Sequence, residues 1–284
     1  MFKPLAIIPR SFLRHWPYAV VSCLITLSLF LGSALPSKAI SFGDILRGVM
    51  RGVEVLQLSN LSDRKEVEIG QQINQQLVSR EVRLYRNEAI TQYINDIGQR
   101  LAAQSKRNDI PYTFQVVNDK SVNAFATMGG FVYINTGLMS AAENEAELAS
   151  VIGHEIGHIS GRHAIKQMRD ATLQQGAAEL AGVDRNTIVR LGIDLALRRP
   201  HSRKHENDAD QRGLRMLGKA GYAQIGMVSF MEKLQTRTPV PEFLSTHPSP
   251  SNRVSALEQG ILKDPYPGSD GMDGNAYKAK IRPL

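Results

Sequence analysis

His154-Glu155-Ile156-Gly157-His158 sets two histidines four residues apart with a glutamate beside the first. On an α-helix, positions i and i+4 lie roughly 40° apart around the axis and about 6 Å apart along it. Two imidazoles so placed can converge on one Zn²⁺ at about 2.0–2.1 Å, with Glu155 facing the open side of the metal, where it can take a proton from water. With 7 histidines in 284 residues, chance would place this pattern somewhere in such a composition only about once in a hundred. The competing reading, an amphipathic helix with incidental histidines, loses because the flanks agree with the metal reading.

Those flanks are helical. Ser140-Ala141-Ala142-Glu143 has the form of a capping box, and Glu143, Glu145 and Glu147 favour a helix N-terminus. Leu148, Val151, Ile152, Ile156 and Ile159 repeat at helical spacing and are expected core. Gly153, Gly157 and Gly161 weaken a helix on propensity, so they imply close packing against another element.

Outward from the motif, the chain reads as helices around one small hairpin, an α+β arrangement that is mainly helical. Helices are expected from Ser62 to about Arg80 and from Glu88 to Lys106, the latter with Ile90, Tyr93, Ile94, Ile97 and Leu101 on one side. Tyr112 to Val117 alternates like a strand after Pro111. Asn123 to Thr127 and Phe131 to Asn135 flank Met128-Gly129-Gly130 as a hairpin whose second strand leads straight into the metal helix. Ala164 to Leu197 is a helical insertion, read as packing or a lid. Further helices are expected over Ser202–Leu217, Gln224–Gln235 and Ser251–Gln259, and an extended tail over 264–284, where Pro, Gly, Asp and Ser dominate. The metallopeptidase domain is placed at 40–263.

A chain of 284 residues with 42% hydrophobic content can bury one sizeable core. The formal charge of +7 is concentrated at the start, since Lys3, Arg10, Arg14 and Lys38 contribute +4 within 39 residues that hold no acid. The remaining +3 forms no basic run with interleaved aromatics, so no nucleic-acid partner is expected. The uncharged stretch Tyr18 to Leu35 follows the basic residues, and Ser37-Lys38-Ala39 offers small residues at −3 and −1 of a cleavage site. Residues 1–39 are therefore a signal peptide. The alternative is an uncleaved N-terminal anchor, because 18 uncharged residues are just enough to span a bilayer. Val20-Val21-Ser22-Cys23 has the outline of a lipidation motif, but the apolar run continues past the cysteine. Cys23 is the only cysteine, so a processed chain has neither disulfides nor a nucleophilic thiol, consistent with export to an oxidising compartment.

A catalytic zinc needs three protein ligands and one open position. The best third ligand is Glu206, in Arg203-Lys204-His205-Glu206-Asn207-Asp208-Ala209-Asp210. Asp210 shares its helix face at i+4 and can accept a hydrogen bond from a ligand imidazole. An acidic helix face is otherwise a solvated surface. His163, His201 and His205 fall off the ligand faces and are expected at the surface.

With its histidine pair, Glu206-x-Asp208-Ala209-Asp210 some 48 residues later, the Asn123-Ala124-Phe125 strand, Gly213-x-x-Met216, Ala220-Gly221-Tyr222 and His247-Pro248-x-x-x-x-Arg253, the chain resembles a family of zincin-like zinc peptidases. These are the gluzincins that include the CAAX prenyl endopeptidase, the heat-shock protease HtpX and the mitochondrial Oma-type proteases. The resemblance covers Ser62 to Gln259, with Asp208 where relatives often carry Glu. The chain shows neither the multiple apolar spans of HtpX nor a helical-repeat segment. It is therefore most similar to compact periplasmic members such as LoiP and the protease domain of BepA. The resemblance implies one zinc on His154, His158 and Glu206, Glu155 as general base and Asp210 behind a ligand. Arg253 is expected to pair with an acid near the site, or else to be solvated. His247 is expected on a loop facing the metal, either closing it from substrate or stabilising the oxyanion. The edge strand at Asn123, Ala124 and Phe125 would border the active-site cleft and pair with an extended substrate. Expected substrates are unfolded polypeptides, among them membrane-associated envelope proteins. The rival class is a chaperone-like zinc protein with little proteolysis.

Overall fold

The computed structural model describes residues 61–174, 185–248 and 252–284. The signal-peptide and anchor readings of 1–39, the arm expected up to Leu61 and the middle of the insertion fall wholly or largely outside those residues. Among the described residues no helix is long and apolar enough to cross a membrane.

Ser62 caps helix α1 (Asp63–Gln76) by accepting from the Lys65 amide, and a π-helical turn follows (Leu77–Glu81). Helix α2 (Glu88–Ala102) starts where the Asn87 side chain accepts from the Ile90 amide. Its Ile90, Ile94, Ile97 and Leu101 are buried as their spacing predicts, while Tyr93 is half-buried and donates to Glu145 at 2.8 Å. Strands β1 (Thr113–Val117), β2 (Ala124–Thr127) and β3 (Phe131–Asn135) form one sheet in the order β1-β3-β2. β1 runs parallel to β3, with Thr113 opposite Phe131, and β2 is antiparallel to it, with Ala124 opposite Ile134. The hairpin turn has Gly129 and Gly130 at φ 79° and 97°, and a Cβ on Gly130 would lie 1.9 Å from Pro111 O. Only glycine fits there.

β3 does not lead straight into the motif helix. Short helix α3 (Thr136–Ala141) intervenes, and α4 (Glu145–Ser160) begins after Asn144. Asn144, not Ser140, is the cap: its side chain accepts from the Glu147 amide, and Glu147 reaches back to accept from the Glu143 amide. Ser140 instead donates to Thr136 O within α3.

Every residue of α4 from Ala146 to Ile159 is buried, so α4 is the central helix of the body. α2, α5 (His163–Gln174), α7 (Arg203–Lys219) and α8 (Ile225–Thr236) pack around it, with β2 and β3 alongside. α6 (Arg185–Arg198) lies against α1, α5 and β2. Short α9 (Glu242–Thr246) and α10 (Arg253–Lys263) complete the site's surroundings.

The segment after Lys263 is not an extended tail. It forms α11 (Gly274–Ile281), capped by Asp273, and Tyr277 is buried with its hydroxyl donating to Met139 O at 2.6 Å. Upstream, Gly271 O accepts from the Ala146 amide, one of the free donors at the start of α4. The Pro- and Gly-rich composition that suggests disorder serves turns here, with Gly271 at φ 84°. Tyr277→Ala should therefore cost about 3 kcal/mol or more in urea unfolding, whereas in a solvated tail it would cost within about 0.5 kcal/mol.

Candidate metal centre

Close approach of two helices builds the site. A Cβ added to Gly157 on α4 would lie 2.6 Å from Ala209 O, and one added to Gly213 would lie 3.0 Å from the His154 amide nitrogen. Gly157, the glycine inside the motif, is thus explained by packing, as its poor propensity implies, whereas a Cβ on Gly153 would make only ordinary contacts with Gly213 from 3.5 Å. α7 is brought in with its first turn opposite the histidines, and Glu206 stands in that turn.

The distances bring these side chains close enough to share one metal ion. His158 Nε2 is 3.0 Å from His154 Nε2 and 3.3 Å from Glu206 Oε1. His154 Nε2 is 3.4 Å from Glu206 Oε2. His247 Nδ1 is 3.3 Å from His154 Nε2 and 3.2 Å from Glu206 Oε1. Four ligands at about 2.0–2.1 Å from a common centre are spaced about 3.3–3.4 Å apart in a tetrahedron. The four residues are buried, and their ligating atoms all lie within 4.8 Å of one another.

The charges point the same way. Glu155, Glu206 and Asp210 are buried carboxylates, and Arg253 is the guanidinium buried with them. A divalent cation would balance the remainder. Both oxygens of Glu155 are buried without a hydrogen-bond partner, the arrangement expected of a carboxylate that faces water at an open metal position. Burial raises the Glu155 carboxyl above the ordinary range, which suits a proton acceptor. Burial opposes charge on Glu206 too. There His247 and hydrogen bonds from His154, His158 and His247 win, holding the carboxyl well below its usual range.

Arg253 resolves to the paired alternative. It is 1% exposed, and donates from Nε to Asp210 Oδ2 at 2.6 Å and from Nη2 to Oδ1 at 2.7 Å. Asp210 Oδ1 in turn lies 2.8 Å from His154 Nδ1. Arg253 Nη1 is 3.2 Å from Glu206 Oε2 and 3.4 Å from His247 O. One guanidinium therefore holds the outer carboxylate, the inner carboxylate and the loop backbone.

His247 closes helix α9 and is 1% exposed, with its ring stacked on Phe243 at 4.4 Å and its Nε2 3.5 Å from Glu155 Oε1. The segment carrying it is fastened to the sheet edge. The Phe243 amide donates to Val122 O at 3.1 Å, and Asn123 Nδ2 donates to Glu242 at 3.2 Å. β2 is the edge strand expected. Ala124 and Phe125 are buried, Phe125 against Tyr133, and Ala126 and Thr127 line two cavities of about 10 Å³ with His201 and Ala164.

The surface placement of the other histidines is corrected. His163 is 1% exposed, and its Nδ1 lies 3.0 Å from His158 Nδ1. His163 Nε2 lies 3.0 Å from Asp208 Oδ2. Burial, then His205, lowers its pKa to about 4. His201 is half-buried with its ring 4.1 Å from that of His158, and half-buried His205 stacks on His163 at 4.4 Å. Helical spacing from the motif misplaces His163, because α4 ends at Gly161 and Arg162 turns the chain at φ 53°. The run Gly161-Arg162-His163 is the sequence signal for that turn.

The profile described as Peptidase family M48 matches residues 88–261. The chain is 33% identical over 217 residues to a beta-barrel assembly-enhancing protease of Yersinia pestis, covering 68% of this chain and 43% of that protein. It is 32% identical over 221 residues to the protein of that name from Escherichia coli, covering 69% and 44%. It is 35% identical over 187 residues to the mitochondrial metalloendopeptidase OMA1 of Arabidopsis thaliana, covering 61% and 38%. The chain thus spans less than half the length of these curated relatives.

Metal uptake should displace a proton. Burial works against charge on His154, but hydrogen bonds to Asp210 and Glu206 raise its pKa to about 9, so it is protonated at neutral pH without metal. Ligation requires the neutral ring. Calorimetry of zinc binding at pH 7 in buffers of different ionisation enthalpy should show release of about one proton per metal, with affinity rising as pH approaches 9. Binding without proton release would contradict this.

Proposed function

The chain belongs to peptidase family M48, and from that premise we propose that it is a zinc-dependent endopeptidase acting on unfolded or misassembled cell-envelope proteins. The observation that carries this reading is the spacing of His154, His158 and Glu206 beside the buried carboxylate of Glu155, whose oxygens accept no hydrogen bond. A zinc ion on those three residues would polarise the scissile carbonyl and acidify water towards neutral pH. Glu155 takes the proton from that water and passes it to the leaving amine. Asp210, fixed by Arg253, holds the His154 ring in the tautomer that presents Nε2. Substrate adds to the β2 edge at Asn123, Ala124 and Phe125, which selects extended over folded polypeptide. The basic and apolar N-terminal 39 residues support export to the periplasm or envelope, by a cleaved signal or a retained anchor.

One observation favours a latent form of the same enzyme, closest to the chaperone-like alternative. His247 Nδ1 completes the fourth corner of the ligand set, and four protein ligands are the mark of a closed site. We read His247 as a plug in this state rather than an oxyanion donor. Its removal from the centre would restore the open position.

Cleavage of casein or another unfolded protein, with and without chelator, tests the reading. Glu155→Gln should retain zinc and fold while losing turnover, because an amide cannot accept the proton; undiminished turnover would sink the mechanism. His247→Ala should raise basal proteolysis severalfold. A loss of about 10²-fold would identify an oxyanion donor instead, and an unchanged rate would assign it neither role.

A further inference from the structure

The chemistry above uses His154, His158 and His247 and leaves a second group of imidazoles, His163 buried among them, unassigned. We propose that His163, backed by Asp208, is the hydrogen-bond acceptor that fixes the tautomer and ring orientation of His158. The inference rests on the zinc reading of the site and deepens it.

An imidazole that presents Nε2 to a metal carries its proton on Nδ1, and that proton needs an acceptor. For His154 the acceptor is Asp210. His158 Nδ1 instead meets His163 Nδ1 at 3.0 Å. Two ring nitrogens facing each other form a bond only if one donates and the other is bare. The far side of His163 decides which. Its Nε2 lies 3.0 Å from Asp208 Oδ2, and an ionised carboxylate can only accept. The His163 proton is therefore on Nε2, Nδ1 is the bare acceptor, and His158 donates to it. Arg212 Nε donates to the same Asp208 oxygen at 2.8 Å and holds the carboxylate in place. Donor and acceptor roles are thus set without conflict from Arg212 to His158.

The local backbone is built for this contact. Arg162, in the left-handed region, folds the chain back so that His163 lies over the last turn of α4. A Cβ on Gly161 would lie 2.3 Å from His163 Nε2, so the ring occupies the space where any other side chain would begin. His205 covers the ring at 4.4 Å with the planes 9° apart. A ring confined in this way cannot rotate freely to break the hydrogen bond to His158.

Zinc affinity of the full chain, measured by competition with a chromogenic chelator at one neutral pH, tests the proposal. Thermal unfolding of the metal-stripped variants reports whether the fold is kept. His163→Leu and Asp208→Ala should each weaken zinc binding by about 10–100-fold. His163→Gln, whose amide can accept from His158 and donate to Asp208, should stay within severalfold of the parent. The absorption bands of the Co²⁺-loaded chain should shift in the first two variants and not in the third. Parental affinity in both His163→Leu and Asp208→Ala would overturn the proposal. Equal losses in His163→Gln and His163→Leu would overturn it too, because packing would then be the common factor. If His163→Leu does not fold, Asp208→Ala decides, being a half-buried helical position. Failure of the parent chain itself to bind zinc would instead remove the metal reading on which this one stands.

Discussion

Backbone contact between α4 and α7 at Gly157 and Ala209 is the constraint on which the site depends. A side chain at Gly157 would lie 2.6 Å from Ala209 O, so the two helices can touch only because neither position presents bulk. Glycine in a helix interior costs about 1 kcal/mol relative to alanine. In return, Glu206 on one helix reaches within 3.3 Å of His158 on the other. A larger residue at Gly157 or Gly213 would part the helices and move Glu206 away from the histidines.

The second constraint is charge. Three carboxylates in a water-poor interior are costly unless each is paired. Arg253 pairs with two of them at once, and its planar fork allows a bidentate grip on Asp210 that a lysine could not reproduce. The same guanidinium reaches His247 O, so the segment that carries His247 is tied to Asp210 and Glu206 as well as to the sheet edge. The residues leading into β2, Val122 and Asn123, hold the segment that carries His247.

Much of this was legible because the chemistry is local. The i, i+4 spacing of His154 and His158 puts both on one helix face in any fold that keeps the helix. The same reasoning applies to Glu206 and Asp210. The hairpin around Gly129-Gly130 and the apolar faces of α2 and α4 follow from periods of two and 3.6 residues. A terminus that depends on something distant is not legible in this way. Ser140 and Asn144 are both capable caps, and α3 decides between them. The residues after Lys263 look like a tail until Tyr277 finds Met139 across the body.

By itself, the sequence determined the helix that carries the motif, the residue types able to hold a metal and accept a proton, and the need for glycine along one helix. Tertiary structure alone decided which polar groups share a burial site. Arg253 is 43 residues from Asp210, and His163 is 45 residues from Asp208. No periodicity links such pairs, because the free energy that selects them comes from excluding water around charges brought together by packing. Spacing can nominate a ligand, but the partner that fixes its proton is chosen by whichever side chain the fold leaves within 3 Å.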